Sequence, residues 1–205
     1  MPMVKIPNSK MRIHANGHSG TTIGLNDFGR LWGDHHAGDP LTAIVEKFAL
    51  NYVSSGLPQN ETFLFVRFCC AWGGLRGRNF KLLYEANATD QFQRLRDKLE
   101  SARDFSMKNK FRDAILELSQ IKGTRTSFRS KFLKFLAPDH AAVLDSVLRA
   151  ALGYPDDENP SNYETFVKDC IEIRNELNNT GLTRSDGQPW RTSDVEMAIF
   201  KHVNP

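Results

Sequence analysis

From Leu41 onward, apolar residues recur every three or four positions, which is the spacing of a helix with one buried face. Phe92, Leu95 and Leu99 follow this pattern, and glycines or prolines interrupt it where helices are expected to end. The pattern predicts helices over about 43–52, 61–72, 78–84, 89–103, 107–119, 126–137, 141–152, 162–178 and 194–202. Thr89 is the predicted cap of the fourth helix, and Ser193 and Glu196 have capping-box spacing for the last. We find no convincing strand pair and no internal repeat, so the predicted class is all-α.

Residues 1–40 are rich in Gly, Asn, His and Asp and have little periodicity. We predict an irregular N-terminal arm over 1–40 that packs on a helical domain over 41–205. Histidines occur at 14, 18, 35 and 36, and the first pair has the spacing of zinc ligands on a helix. Because Asn16-Gly17 disfavours a helix there, we predict no metal site.

The composition is that of a soluble globular protein, with 205 residues, 40% hydrophobic and 25% charged. No apolar run is long enough to span a membrane, and the first ten residues lack the apolar region of a secretory signal. Two of the three cysteines, Cys69 and Cys70, are adjacent, so a disulfide framework is not expected. These features favour the cytoplasm.

Basic residues cluster although the net charge is only +3. The stretch 121–138 has five basic residues and no acidic one, and 67–81 has four and none. A basic run of this kind is either a solvated face or a surface for nucleic acid.

The segment 121–126 predicts a tight turn between two helices. Gly123 lies in the turn, Lys122 and Arg125 flank it, and the next helix begins at Thr126. Backbone N–H groups at a helix start attract anions, so we predict a phosphate contact that positions DNA without identifying its sequence. In the second helix a polar face with Ser127, Ser130, Lys131 and Lys134 opposes a stripe of Phe128, Phe132, Phe135 and Leu136.

A second unusual stretch, 63–78, runs from an apolar helix into a glycine-rich loop with arginines. Trp72 either stacks on a base turned out of the duplex, fills the gap left behind, or belongs to the core. Gly73, Gly74 and Gly77 are predicted to let the backbone approach the nucleic acid closely, and Arg76 and Arg78 to bind phosphates. The alternative is that the glycines only end a helix.

The motif I-K-G-T-R at 121–125 resembles the hairpin of helix-hairpin-helix DNA glycosylases, usually L-P-G-V-G, and the run from Ser130 to Ser146 resembles the stretch leading to their catalytic aspartate. The similarity is nearest the 8-oxoguanine branch and its bacterial relatives, over about 115–149. It implies an all-α fold of two lobes with an active-site cleft between them, and catalysis by Asp145. It also implies a monomer that acts on double-stranded DNA with a modified base, in the bacterial nucleoid. The residues expected to bind DNA are Lys122, Gly123, Thr124, Arg125, Thr126, Ser127, Arg76 and Arg78.

The sequence departs from the family pattern at two positions. Arg125 replaces the second hairpin glycine, and Ser127 stands where bifunctional members carry the lysine that forms a Schiff base. Lys131 lies one helical turn later on the same face, and it is either a displaced nucleophile, a pocket residue or a phosphate contact. Asp145 has its own alternative, because it could simply cap the helix that ends at Gly153.

The chemistry explains why these residue types are required. Breaking an N-glycosidic bond builds positive charge on the sugar, which a carboxylate such as Asp145 stabilises while it orients water. A lysine with a lowered pKa could instead attack the sugar and form an imine, with strand cleavage (AP lyase activity) afterwards. The resemblance also places Trp190, Asp194 and Met197 on the far wall of the base pocket, although Asp194 would equally suit a first helical turn. Four clustered cysteines for an iron–sulfur centre are lacking, so no cofactor is expected.

Three functions therefore follow as hypotheses. The first is a DNA glycosylase for base excision, acting on oxidised guanine in DNA repair or on a modified cytosine in phage DNA as antiviral defence. The second is a non-catalytic helix-hairpin-helix module that binds DNA. The third is an all-α interaction protein in which the hairpin is coincidental.

Overall fold

The computed structural model describes residues 10–13, 21–75, 77–88, 90–155 and 158–205. In this part of the chain, helices dominate and strand is confined to one short hairpin. The elements are β1 (Lys10–Ile13), β2 (Thr21–Gly24), α1 (Asp27–Gly38), α2 (Pro40–Ser54), α3 (Gln59–Gly73), α4 (Gly77–Ala88), α5 (Gln93–Met107), α6 (Phe111–Leu118), α7 (Thr126–Leu136), α8 (Ser146–Leu152), α9 (Pro160–Asn179) and α10 (Thr192–Val203). The predicted all-α class is therefore confirmed for the described residues, apart from this one hairpin.

The prediction of an irregular arm over 1–40 is wrong where the structure describes it. The strands β1 and β2 pair antiparallel with Lys10 opposite Gly24, and α1 is a regular helix. Phe28, Leu31 and Trp32 lie at helical spacing on one face of α1 and are buried in the core. Because polar residues surround these three in the sequence, their helical spacing is not evident from the sequence pattern. His14 and His18 lie outside the described residues.

Most helix boundaries agree with the prediction to within a few residues, but three differences matter. The helix predicted from 107 begins at Phe111, and α5 continues through Met107. The N-cap of α5 is Phe92, whereas the predicted cap, Thr89, lies outside the described residues. The helix predicted over 141–152 begins only at Ser146, and 141–145 are not helical.

Helix α7 lies at the centre of the fold, in contact with α2, α3 and α5, while α10 packs between α1 and α9. Phe132, Phe135 and Leu136 of α7 are buried as the stripe predicts, but Lys131 and Lys134 are buried as well. The predicted polar face of α7 therefore faces the interior rather than solvent. None of the helices described is both long and apolar enough to cross a membrane.

Candidate active site

The predicted catalytic residues Lys131 and Asp145 line one cavity of about 260 Å³. Its walls come from the junction of α1 and α2, the end of α3, the middle of α7, the segment before α8, and α10. The lining residues are His35, Asp39, Trp72, Gly73, Lys131, Val143, Asp145, Glu196 and Phe200. A larger cavity of about 380 Å³ is lined mostly by apolar parts of α2 and the end of α7, and it contains neither Lys131 nor Asp145. The smaller cavity is therefore the candidate site.

Lys131 is the most unusual ionisable group in the cavity, because its side chain is buried without an ion pair to any described carboxylate. Its Nζ donates to the Gly73 carbonyl at 3.4 Å and lies 4.7 Å from the centre of the Phe128 ring. Burial lowers the pKa of Lys131, and the charges of Asp145 and Glu196 only partly offset this. The amine of Lys131 therefore loses its proton more readily than that of an exposed lysine.

The contact between Lys131 and α3 depends on Gly73. A Cβ at position 73 would lie 2.8 Å from Lys131 Cδ and 3.0 Å from the Phe128 ring. In the structure the absence of a side chain at Gly73 makes room for the lysine of α7, while its predicted approach to nucleic acid stays a prediction.

Asp145 is a helix cap, the alternative that the sequence left open, and it also lines the cavity. Its Oδ1 accepts a hydrogen bond from the Leu148 N–H at 3.0 Å, which makes it the N-cap of α8, and the residue also lines the cavity. The extended segment before it is held against α7 by the Ser130 hydroxyl, which accepts from Leu144 N–H at 3.3 Å. This segment brings Asp145 close enough to Lys131 for their charges to interact.

A buried ion pair supports the back of the cavity. Lys134 Nζ lies 3.1 Å from Glu196 Oε2, and the two side chains are 1% and 4% exposed. Burial raises the pKa of Glu196, while Lys134 and a hydrogen bond from the Val143 backbone act in the opposite direction. The predicted capping role of Glu196 with Ser193 is wrong, because Asp194 accepts from the Arg191 N–H at the start of α10 and Glu196 faces the cavity.

Trp72 is fixed in the cavity wall. Its Nε1 donates to Asp39 Oδ2 at 2.9 Å and to Thr42 Oγ1 at 2.7 Å, and Lys134 Nζ lies 4.7 Å from its ring centre. The indole also meets Phe135 edge-on at 5.1 Å. A side chain held in this way suits a stacking surface better than a wedge that enters the duplex.

The predicted hairpin turn is present between α6 and α7. Gly123 has a φ of +83°, and a Cβ there would lie 3.2 Å from the Asn79 carbonyl, so the first turn of α4 packs closely against it. Lys122, Arg125 and Arg78 are exposed. The two basic stretches of the sequence therefore meet at this turn, although Arg76 lies outside the described residues.

The start of α7 already holds an anionic group from the chain itself. Glu158 Oε2 accepts from the Thr126 N–H at 2.8 Å, from Thr126 Oγ1 at 2.9 Å and from Arg129 Nη1 at 3.0 Å. Thr124 is buried and its hydroxyl donates to the Ile121 carbonyl, while Ser127 is half-buried. The predicted phosphate contact at Thr126 is thus occupied by a carboxylate.

The structure does not bring Trp190, Asp194 and Met197 to the cavity. Trp190 packs edge-on against Phe28, and Met197 is fully buried in the core. Asp194 accepts hydrogen bonds from Trp32, Arg184 and Arg191. Burial pushes the pKa of Asp194 upward, but its hydrogen bonds with Arg191 and the charges of Arg191 and Arg184 outweigh burial and hold it below its usual value.

Sequence reasoning missed the cavity residues His35, Asp39, Glu196 and Phe200. The first two lie in or beside a helix that the sequence pattern did not indicate. The capping-box spacing gave Glu196 a different role, and no local motif marks Phe200. Among the described residues, no group of three or more His, Cys, Asp or Glu side chains is placed to hold a metal ion. Comparison of the chain with protein-family models, with curated proteins and with solved structures finds no match.

Proposed function

We propose that this protein is a helix-hairpin-helix DNA glycosylase that excises a modified base from double-stranded DNA as a monomer. One observation carries the proposal: Lys131, a buried lysine without an ion pair to any described carboxylate, shares a cavity that has a fixed aromatic wall with the carboxylate of Asp145. Such a cavity has an anion for the sugar and a stacking surface for the base, together with an amine that could act as nucleophile.

In this proposal Asp145 faces the sugar of the extruded nucleotide. As the bond to the base breaks, its carboxylate stabilises the positive charge on the sugar and orients the attacking water. Lys131 has the alternative role of attacking the sugar carbon as a neutral amine, which its burial favours. Trp72 stacks on the extruded base.

The exposed basic groups at the hairpin turn, Lys122, Arg125 and Arg78, bind the DNA backbone in this proposal. A phosphate would reach the Thr126 N–H only by displacing the carboxylate of Glu158. Duplex affinity should therefore fall with salt, as expected for exposed cationic contacts.

The substitution Asp145→Asn tests the catalytic assignment. Asparagine caps a helix as well as aspartate does, so the fold should persist while the charge is lost. We expect duplex binding to remain and base release to fall by at least about 100-fold, by analogy with loss of one electrostatic catalytic group. The exposed Asp139→Asn is the matched control and should retain activity.

Release should be measured by mass spectrometry on a panel of modified duplexes and phage DNAs, which also identifies the base as an oxidised guanine or a modified cytosine. Full activity of Asp145→Asn would refute the site assignment. Salt-dependent binding by the wild type without release from any substrate would favour the non-catalytic DNA-binding module.

Borohydride trapping tests the role of Lys131. Borohydride reduces an imine between Lys131 and the sugar to a stable amine, so a covalent adduct that Lys131→Ala abolishes would establish the nucleophile. Because burial lowers the pKa of Lys131, trapping should reach its plateau at a lower pH than an exposed lysine would allow. Lys108→Ala, at an exposed lysine outside the groups assigned to DNA binding, is the control; an adduct that persists without Lys131 would exclude this role.

A further inference from the structure

The polar groups that line the cavity are largely committed to partners in the protein. Asp39 Oδ1 accepts from the Leu41 N–H at 3.2 Å, and its Oδ2 accepts from Thr42 Oγ1 and Trp72 Nε1. Glu196 is paired with Lys134. With Lys131 and Asp145 assigned to the sugar, His35 is the described lining side chain that can present either a donor or an acceptor to a bound base.

His35 is suited to this role by its chemical state. Burial and the charge of Lys134 lower its pKa to about 4, against the opposing charge of Asp39, and His36 also disfavours its protonation. The ring is therefore neutral at pH 7, with one nitrogen as donor and the other as acceptor. Its Nδ1 has no hydrogen-bond partner within the described protein but is closed to solvent, so a base in the cavity would pair with Nε2 instead.

The position of His35 is fixed from two sides. Its ring meets Phe200 of α10 edge-on at 5.9 Å, and Phe200 also lines the cavity. On the same helix, Trp32 Nε1 donates to Asp194 of α10 at 3.2 Å, which holds α1 against α10. Hydrogen bonding by a group held in place costs little further ordering when a ligand binds.

We propose that His35 is the specificity-determining residue of the cavity and selects an extruded heterocyclic base by hydrogen bonding to its polar edge. This inference rests on the proposed function, and it assigns base recognition to α1, in the part of the chain that the sequence pattern described as an arm. A base lacking the complementary donor or acceptor leaves the imidazole unpaired and is rejected.

Binding without chemistry provides the test. In the Asp145→Asn background, affinities are measured for duplexes that each carry 8-oxoguanine, 5-hydroxymethylcytosine, 5-methylcytosine or uracil. Each is compared with the same duplex carrying a tetrahydrofuran abasic site. We expect one base to be preferred over the abasic duplex, and His35→Phe to reduce that preference by about 10-fold while abasic binding is unchanged.

His36→Phe is the matched control, because the His36 ring stacks on Trp32 at 4.4 Å and does not line the cavity. This variant should keep the preference. The proposal is overturned if His35→Phe keeps the preference, if it weakens binding to all duplexes alike, or if no base is preferred in the Asp145→Asn background. A base preference that depends on His35, in a protein that releases no base, would overturn the glycosylase proposal alone.

Discussion

Lys131 and Lys134 lie one turn apart on α7, and their surroundings give them different chemistry. Lys134 is committed to an ion pair with Glu196, which compensates for the burial of both charges. Lys131 contacts a carbonyl and aromatic rings instead. The sequence placed both on one cationic face, yet Lys131 lines the cavity with a lowered pKa while Lys134 is held in its ion pair.

The titration of a second buried residue, Asp169, should make the stability of the protein depend on pH. Burial and the charge of Glu172 raise the pKa of Asp169 to about 7, although a hydrogen bond from Tyr154 acts the other way. Between the unfolded value near 4 and this value, the folded state binds the extra proton, so the contribution of Asp169 to stability falls as pH rises.

Asp169→Asn should remove this loss. Its stability relative to wild type should therefore be greater at pH 8 than at pH 5, by urea denaturation. Glu164→Gln on the same helix is the control, and an equal difference at both pH values would contradict the prediction.

The N-terminus of helix α7 depends on Glu158, a residue far along the chain. Arg125 occupies the N-cap position without making a side-chain cap, and Glu158 accepts from the Thr126 N–H in its place. Arg129 strengthens this arrangement by binding both Glu158 and the Thr124 carbonyl. A carboxylate at this end also complements the helix dipole.

We therefore expect Glu158→Ala to lower the free energy of unfolding by about 1–2 kcal/mol, the usual effect of losing a helix cap. Urea denaturation at pH 7 measures this change. Glu164→Ala is a suitable comparison, since its surface pair with Lys168 should contribute less than about 1 kcal/mol. Equal losses for the two variants would mean that the cap is not what Glu158 contributes.

The sequence predicts where helices occur better than it predicts where they begin and end and which other residues they contact. The stripe of Phe132 and Phe135 located α7 because helical burial repeats locally. The non-helical conformation of 141–145 depends on contacts such as Leu144 with Ser130, and the cap at Thr126 depends on Glu158, which no local pattern indicates. Asp145 was identified from a resemblance, whereas the cavity around it required distant elements to meet.

In the whole molecule, α1 and α10 together form one side of the candidate site. Trp32 of α1 and Arg184, which precedes α10, both bind Asp194. The Arg184 guanidinium also lies 4.9 Å from the Trp32 ring centre. The ion-pair network at Asp194 thus holds α1, with His35, against the cavity, although Asp194 itself does not line it.

Removal of the charge of Asp194 should loosen this arrangement. Asp194→Asn keeps the side-chain size but leaves Arg184 and Arg191 without their shared buried counter-ion, so we expect a loss of about 3–5 kcal/mol in the free energy of unfolding. Asp186→Asn removes a carboxylate that also binds Arg184 but is 44% exposed, and it should cost less than about 1 kcal/mol. Urea denaturation compares the two variants, and hydrogen exchange should show lost protection in α1 for Asp194→Asn alone. If both variants unfold at the same urea concentration, the buried network does not hold α1. If α1 stays protected despite the loss of stability, the network stabilises α10 without fixing the helix that carries His35.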